Sequence, residues 1–156
     1  MGTGRLDAGE QQVWRAFLRT NAWIYDELEH DLRDRSNLSL VEYGILVHLS
    51  EAPSQRMRMR HLADSVIVSK SRLSHQIARL ERDGHVRREH CDDDRRGFWA
   101  VLTEDGHKIL ARAAPGHADR VRDLLFDRLT PEQITQLSGI LHSLGGDDPT
   151  SNLWDR

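Results

Sequence analysis

Residues 56–103, RMRMRHLADSVIVSKSRLSHQIARLERDGHVRREHCDDDRRGFWAVLT, decide the fold. Arg58 to Ser65 has the pattern of a short helix anchored by Leu62 and Ala63. Ser69 offers a side-chain oxygen to the free N–H groups of a new helix turn. The apolar residues that follow, Leu73, Ile77 and Leu80, recur at spacings of four and three and form one narrow inward seam. Gly84 supplies the stop. Val86–Cys91 and Phe98–Leu102 then read as two short strands around a turn at Asp92–Gly97. Ahead of all this, Arg56, Arg58 and Arg60 alternate with Met57 and Met59. That alternation suits a strand-like lead-in with which the hairpin can pair as a third strand.

Helix, capped basic helix, strand, Arg-bearing turn and strand is the order of parts in a winged helix-turn-helix, whose second helix enters a DNA groove while the hairpin touches the backbone beside it. At about 100° per residue, Ser71, Arg72, His75, Arg79 and Arg82 fall on the face opposite the apolar seam. Arg72 is the first candidate for bidentate reading of guanine, with Ser71 and His75 as secondary base contacts. Ser69 is expected to meet phosphate as well as cap, because free N–H groups and the helix dipole gather anions there. Lys70 and Arg79 fit backbone contacts, which add affinity rather than sequence choice. One or two of Arg56, Arg58 and Arg60 are candidates for phosphate contact too, set against plain solvation.

Charge distribution agrees with a polyanion partner on one face. The chain of 156 residues carries −3 formally, yet between Arg56 and Gly97 eleven Arg and Lys face seven Asp and Glu, a local balance of about +4 that leaves about −7 elsewhere.

The flanks are helical. From about Glu10 to Leu32, Val13, Trp14, Phe17, Leu18, Ile24, Tyr25, Leu28 and Leu32 make a wide apolar stripe. Ser39-Leu40-Val41-Glu42 is a capping box opening a helix that turns Tyr43, Leu46 and Val47 inward and stops at Ala52-Pro53. Thr103 opens a long helix in which Pro115 predicts a kink or break. Thr130-Pro131-Glu132-Gln133 starts a last helix carrying Ile134, Leu137, Leu141 and Leu144. Residues 1–9 and 146–156 read as loose tails, although Leu153 and Trp154 are apolar enough to pack. The expected organisation is one mainly α domain over 10–145 with a small β-hairpin wing. Within it, 39–103 forms the DNA-binding lobe, and 10–34 and 104–145 supply helices whose stripes an interleaved homodimer would bury.

Several chemistries are excluded. One cysteine, Cys91, allows no internal disulfide and suits a reducing compartment. The N-terminus lacks the apolar run of a signal peptide and no stretch reaches membrane-spanning length, so a soluble, cytoplasmic protein without a membrane partner is expected. Nine histidines include no His-x-x-x-His pair, so neither a metal nor another cofactor is expected. No catalytic triad, Cys/His pair or phosphate loop appears, which argues against an enzyme.

With these residues in view, the chain resembles the MarR family of bacterial transcriptional regulators over roughly residues 10–145. The likeness lies in Leu62-Ala63, Ser69 at the head of the basic helix, Leu80-Glu81-x-x-Gly84, Asp94-x-Arg96-Gly97 and Leu102-Thr103-x-x-Gly106 taken in order. The resemblance implies a homodimeric winged helix-turn-helix repressor or activator that binds a pseudo-palindromic operator in double-stranded DNA. It implies a dimer interface from the first, fifth and sixth helices, and a small-molecule pocket between the dimer and DNA lobes. It also implies that Asp94 braces Arg96 for the minor groove, with Arg95 beside it on phosphate. Asp92 stands where relatives often carry Pro.

For that pocket, Trp14, Trp23, Tyr43, His48 and Arg60 are candidate contacts to a small aromatic effector such as a phenolic one, with core and dimer packing as the competing role of the aromatics. A regulator without an effector, or one responding to oxidation at Cys91, stays open. Relatives that sense peroxide hold their thiol near the first helix, whereas Cys91 lies by the wing. Arg87, Arg88 and His90 would favour its thiolate and Asp92–Asp94 would oppose it.

Overall fold

The computed structural model describes residues 4–66, 68–91 and 94–145, with the side chains of Asp94, Arg95 and Arg96 outside the described residues. The caps legible in the sequence are closed by hydrogen bonds. Helix α1 (Ala8–Ser36) starts two residues earlier than its apolar stripe, because Asp7 and Glu10 form a capping box with two 2.8 Å hydrogen bonds. It ends at Asn37, whose φ of 54° is left-handed. Helix α2 (Leu40–Glu51) opens on the Ser39/Glu42 box. Strand β1 (Arg56–Arg58) leads into α3 (Met59–Ser65) and then α4 (Lys70–Arg82), capped by Ser69. Strands β2 (Val86–Cys91) and β3 (Asp94–Leu102) follow, then α5 (Glu104–Leu124) and α6 (Pro131–Gly145). Thr130 and Gln133 reciprocate hydrogen bonds at the head of α6.

The three strands form one antiparallel sheet in the order β1-β3-β2, so the alternating arginine lead-in does pair with the wing. Arg56 stands opposite Val101 and Arg58 opposite Trp99, while Val86 stands opposite Leu102 at the other edge. β3 begins at Asp94, earlier than the Phe98 that the apolar pattern marked. Cys91 pairs with Asp94 after an irregularity between His90 and Cys91. A hairpin ladder is carried by backbone groups, so it continues through polar residues that pattern alone assigns to a turn.

The core gathers Leu32 of α1, Ile45, Leu46 and Leu49 of α2, Leu62 of α3, the seam Leu73, Ile77 and Leu80 of α4, then Val86, Leu102 and Leu110. In α2 the inward set differs from the expected Tyr43, Leu46 and Val47. Only Leu46 of these is fully buried, and Ile45 and Leu49 take the other places. α2 packs against α1, α4, α5 and β3 and is apolar nearly all round, so its periodicity singles out no one face. Pro115 lies within α5, which runs from Glu104 to Leu124 without the expected break. The expected tail at 146–156, with Leu153 and Trp154, lies outside the described residues.

The wing is locked to α5 at one crowded point. Thr103 caps α5 by accepting the Gly106 N–H, and its hydroxyl donates to the Gly84 carbonyl at 2.6 Å. Gly84 holds φ at 80°, a turn that lets the chain leave α4 and pass beneath Thr103. A Cβ on Gly106 would stand 2.0 Å from the His85 carbonyl oxygen and 2.8 Å from a Leu102 methyl. Gly106→Ala is therefore expected to destabilise the fold by about 3 kcal/mol, the upper range for overpacking. A urea-denaturation midpoint equal to that of the unaltered protein would contradict this contact.

Candidate nucleic-acid interface

Helix α4 presents a bare polar face because its three core residues lie on one side. Lys70, Ser71, Arg72, Ser74, His75 and Arg82 are exposed, and Leu73, Ile77 and Leu80 are buried. Ser69 accepts the Arg72 N–H at 3.2 Å, and its hydroxyl lies 3.4 Å from that of Ser71. Among the described residues, the side chains of Lys70, Arg72 and His75 carry no ion pair or hydrogen bond, so their donors are open to a partner.

Other cations are already engaged. The Arg79 Nε lies 3.3 Å from Glu42, and its Nη2 donates to the carbonyl and side-chain oxygens of Asn37 at 3.3 and 3.4 Å. Half-buried and held on three oxygens, Arg79 sits apart from the open face on which the sequence placed it. Arg88 reaches Glu81 and the Ser74 carbonyl, and Arg87 pairs with Glu89 at 2.7 Å. Arg56 and Arg58 both stack on Trp99, 4.7 and 5.2 Å from its ring centroid.

Beside the head of α4 is a cleft of about 450 Å³, lined by Arg58, Arg60, Lys70 and Arg88 with Met59, Leu73, Ser74, Gly97 and Phe98. Four cations along one opening between helix and hairpin suit a phosphate backbone. Arg60, expected in an effector pocket, lines this cleft instead. Arg88 was named in the sequence only as a neighbour of Cys91, not as part of this interface. Its signal was its place in β2, where alternate residues share a face with Phe98 and Ala100 across the ladder.

The remaining effector candidates stand in separate places. His48 lines a different cleft, of about 510 Å³, with Arg56, His61 and Trp99. Trp14 is half exposed and stacks with Phe17 at 6.0 Å, while Trp23 lies 4.9 Å beneath the Arg128 guanidinium. Tyr43 packs on His117 of α5 at 4.4 Å. One chain thus does not gather these five side chains into one pocket. Among the described residues, no cluster of His, Cys, Asp and Glu could hold a metal ion, and no helix is long and apolar enough to cross a membrane. Cys91 is buried, which shields its thiol.

The geometry has close counterparts. A MarR family model matches residues 36–97. The chain is 45% identical to Sco3205 of Streptomyces coelicolor, a MarR family transcriptional regulator solved in complex with DNA, with a TM-score of 0.87 over 93% of this chain and 92% of that one. The chain belongs to the MarR family. A second MarR family regulator of that organism, AbsC, is 44% identical, with a TM-score of 0.85 over 92% of this chain and 97% of its own. The transcriptional regulator HosA of Escherichia coli O157:H7 is 32% identical over 105 residues, 67% of this chain and 73% of HosA. All three are transcriptional regulators, and this chain is a transcriptional regulator of the MarR family.

Burial builds two histidine titrations into the fold. His117 is held below the ordinary imidazole value by desolvation, with Asp31 opposing, and its Nδ1 is buried without a hydrogen-bond partner among the described residues. His48 is lowered for the same reason, with Glu51 opposing. The unfolded chain then binds more protons than the folded one below about pH 6.5, so stability is full above that pH and falls as pH drops through it. Urea midpoints are expected to decline from pH 7.5 to pH 5, and to decline less in His117→Gln. Equal declines in the two proteins would remove His117 as the source.

Proposed function

We propose that this MarR regulator binds double-stranded DNA as a homodimer, at a pseudo-palindromic operator, and represses transcription by occupying it. The observation that carries the reading is the open N-terminal half of α4, where Lys70, Ser71, Arg72 and His75 stand exposed beside a four-cation cleft. Recognition helices dock with that end toward the base edges. Arg72 reads a base, Ser71 and His75 assist, and Ser69, Lys70 and Arg60 hold phosphate, while the engaged Arg88 adds to the positive potential of the cleft. The side chains of Asp94, Arg95 and Arg96 lie outside the described residues. Their proposed roles follow the family motif, with Arg96 in the minor groove, Asp94 as its brace and Arg95 on phosphate.

Support for the dimer comes from the two ends of the chain. Val13 is 70% exposed and Leu144 74%, and Trp14, Phe17, Leu18, Ile140 and Leu141 are each about half exposed. α6 contains no buried residue at all. Apolar helix faces of that extent need a partner. A twofold pair would set two α4 helices about one turn of DNA apart, roughly 34–36 Å.

Two outcomes test this. Duplexes enriched from a random pool by the protein are expected to share a pseudo-palindrome, and Arg72→Ala to weaken their binding by about 1–3 kcal/mol while relaxing one base preference in each half-site. Equal weakening on every duplex would assign Arg72 to the backbone instead. Phe17→Asp combined with Leu141→Asp is expected to sediment at half the mass and to lose tight operator binding. A retained dimer would place the interface elsewhere.

A further inference from the structure

Between the dimer-end helix and the DNA-reading helix lies one buried carboxylate. Glu42 is 1% exposed. One oxygen accepts the Ser39 N–H at 2.7 Å and lies 3.7 Å from Arg33 of α1. The other lies 3.3 Å from Arg79 of α4. Each arginine is anchored a second time. Arg33 bonds Glu29 at 3.1 Å, and Glu29 in turn accepts the Leu40 N–H at 2.6 Å. Arg79 bonds the Asn37 carbonyl and side chain at the corner between α1 and α2. Three helices are thereby joined through charged groups, with the acid out of water and a guanidinium on each side.

We propose that Glu42 and Arg79 are positioning residues for DNA reading: together they fix the angle of α4 against α1, and Arg79 acts on the protein rather than on phosphate. The proposal rests on the DNA-binding reading above. Its physical basis is that a buried charge tolerates little displacement of its partners. Rotating α4 away from α1 would draw Arg79 off Glu42 and leave the carboxylate short of compensation. Apolar burial by the seam of Leu73, Ile77 and Leu80 is non-directional, whereas the charged contacts fix a direction as well as a distance. In a twofold dimer an error in that angle is made twice, and it changes the distance between the two reading helices.

Glu42→Gln keeps an oxygen for the Ser39 N–H, because glutamine also closes a capping box. It removes the charge that both arginines share. Arg79→Ala is the second variant; it takes away the α4 side of the joint while Arg33 and the Ser39 N–H still face the other oxygen of Glu42. Each is measured as the full chain, after circular dichroism shows it folded, on two duplexes. One is an operator enriched by the unaltered protein, and the other is that operator with one base pair inserted between half-sites. Affinity for the first is expected to fall about tenfold. Affinity for the second should change far less, so that discrimination of spacing narrows. The dependence of log K on log salt should keep its slope, because no phosphate contact is lost.

A slope lower by about one in Arg79→Ala would make Arg79 a phosphate contact and overturn the proposal. So would unchanged affinity in both variants, or equal weakening on both duplexes, which is the mark of a merely structural role. If Glu42→Gln fails to fold, Arg79→Ala carries the test by itself. Failure of the unaltered protein to select any duplex would instead defeat the DNA-binding reading.

Discussion

Everything the reading face can do depends on how α4 is held, and it is held by little. Thirteen residues are ordered in that helix, and its core contribution is Leu73, Ile77 and Leu80. Burying three such side chains returns about 1.5–3 kcal/mol each, whereas fixing each residue's backbone costs about 1–2 kcal/mol. The helix's own hydrogen bonds and its seam therefore need help from the elements around it. That help is visible at three places. Ser69 satisfies the first turn, Arg88 of β2 grips Glu81 and the Ser74 carbonyl along the flank, and Arg79 fastens the far side to Glu42 and Asn37. A reading helix with a wide apolar stripe would hold itself better, but it would have no polar face left for a ligand.

The same constraint sorts the arginines. A basic segment counted from its letters treats all its cations alike, yet in the fold they divide by what surrounds them. Arg79, Arg87 and Arg88 lie against carboxylates, and Arg56 and Arg58 lie on the Trp99 ring. Lys70 and Arg72 have no such partner among the described residues. Engaged cations still raise the potential of the surface, and so steer a polyanion toward it. Only the open ones can exchange water for a phosphate or a base edge without first breaking a contact inside the protein.

How far this was legible in the sequence follows from which interactions are local. Caps and seams are local: Ser39 with Glu42, Thr130 with Gln133, and Leu73-Ile77-Leu80 each announce an element within a few residues, and each stands where it was expected. The arginine alternation at 56–60 revealed its strand for the same reason. Pairings across the chain were not legible. Arg79 is 42 residues from Asn37, and helical projection could place it on a face but could not say that an acid from α2 would reach the edge of that face. Projection likewise misjudged α2, since a helix enclosed by neighbours on several sides has no polar side to reveal its inward one. Pro115 predicted a kink or a break, and no break occurs, because α5 is long and held on both sides of the proline. Thr103 holds its start and Glu27 of α1 pairs with Arg120 beyond the proline, so the tertiary frame keeps the helix continuous. The aromatic candidates were chosen by residue type and by the pocket the family resemblance implies, and neither carries information on the mutual distance of these side chains.

The exposed ends complete the argument about α4. At 29 residues α1 is about 43 Å long, and only its later part packs on the lobe that carries α4, with Leu32 its one buried residue. Its earlier part displays Val13, Trp14, Phe17 and Leu18 to solvent in the single chain. The helix is therefore a lever: one end belongs to whatever covers that apolar face, and the other is joined to α4 through Arg33 and Glu42. Covering that apolar face would fix the seat of α1, and with it the Arg33 and Glu42 contacts against which α4 is set.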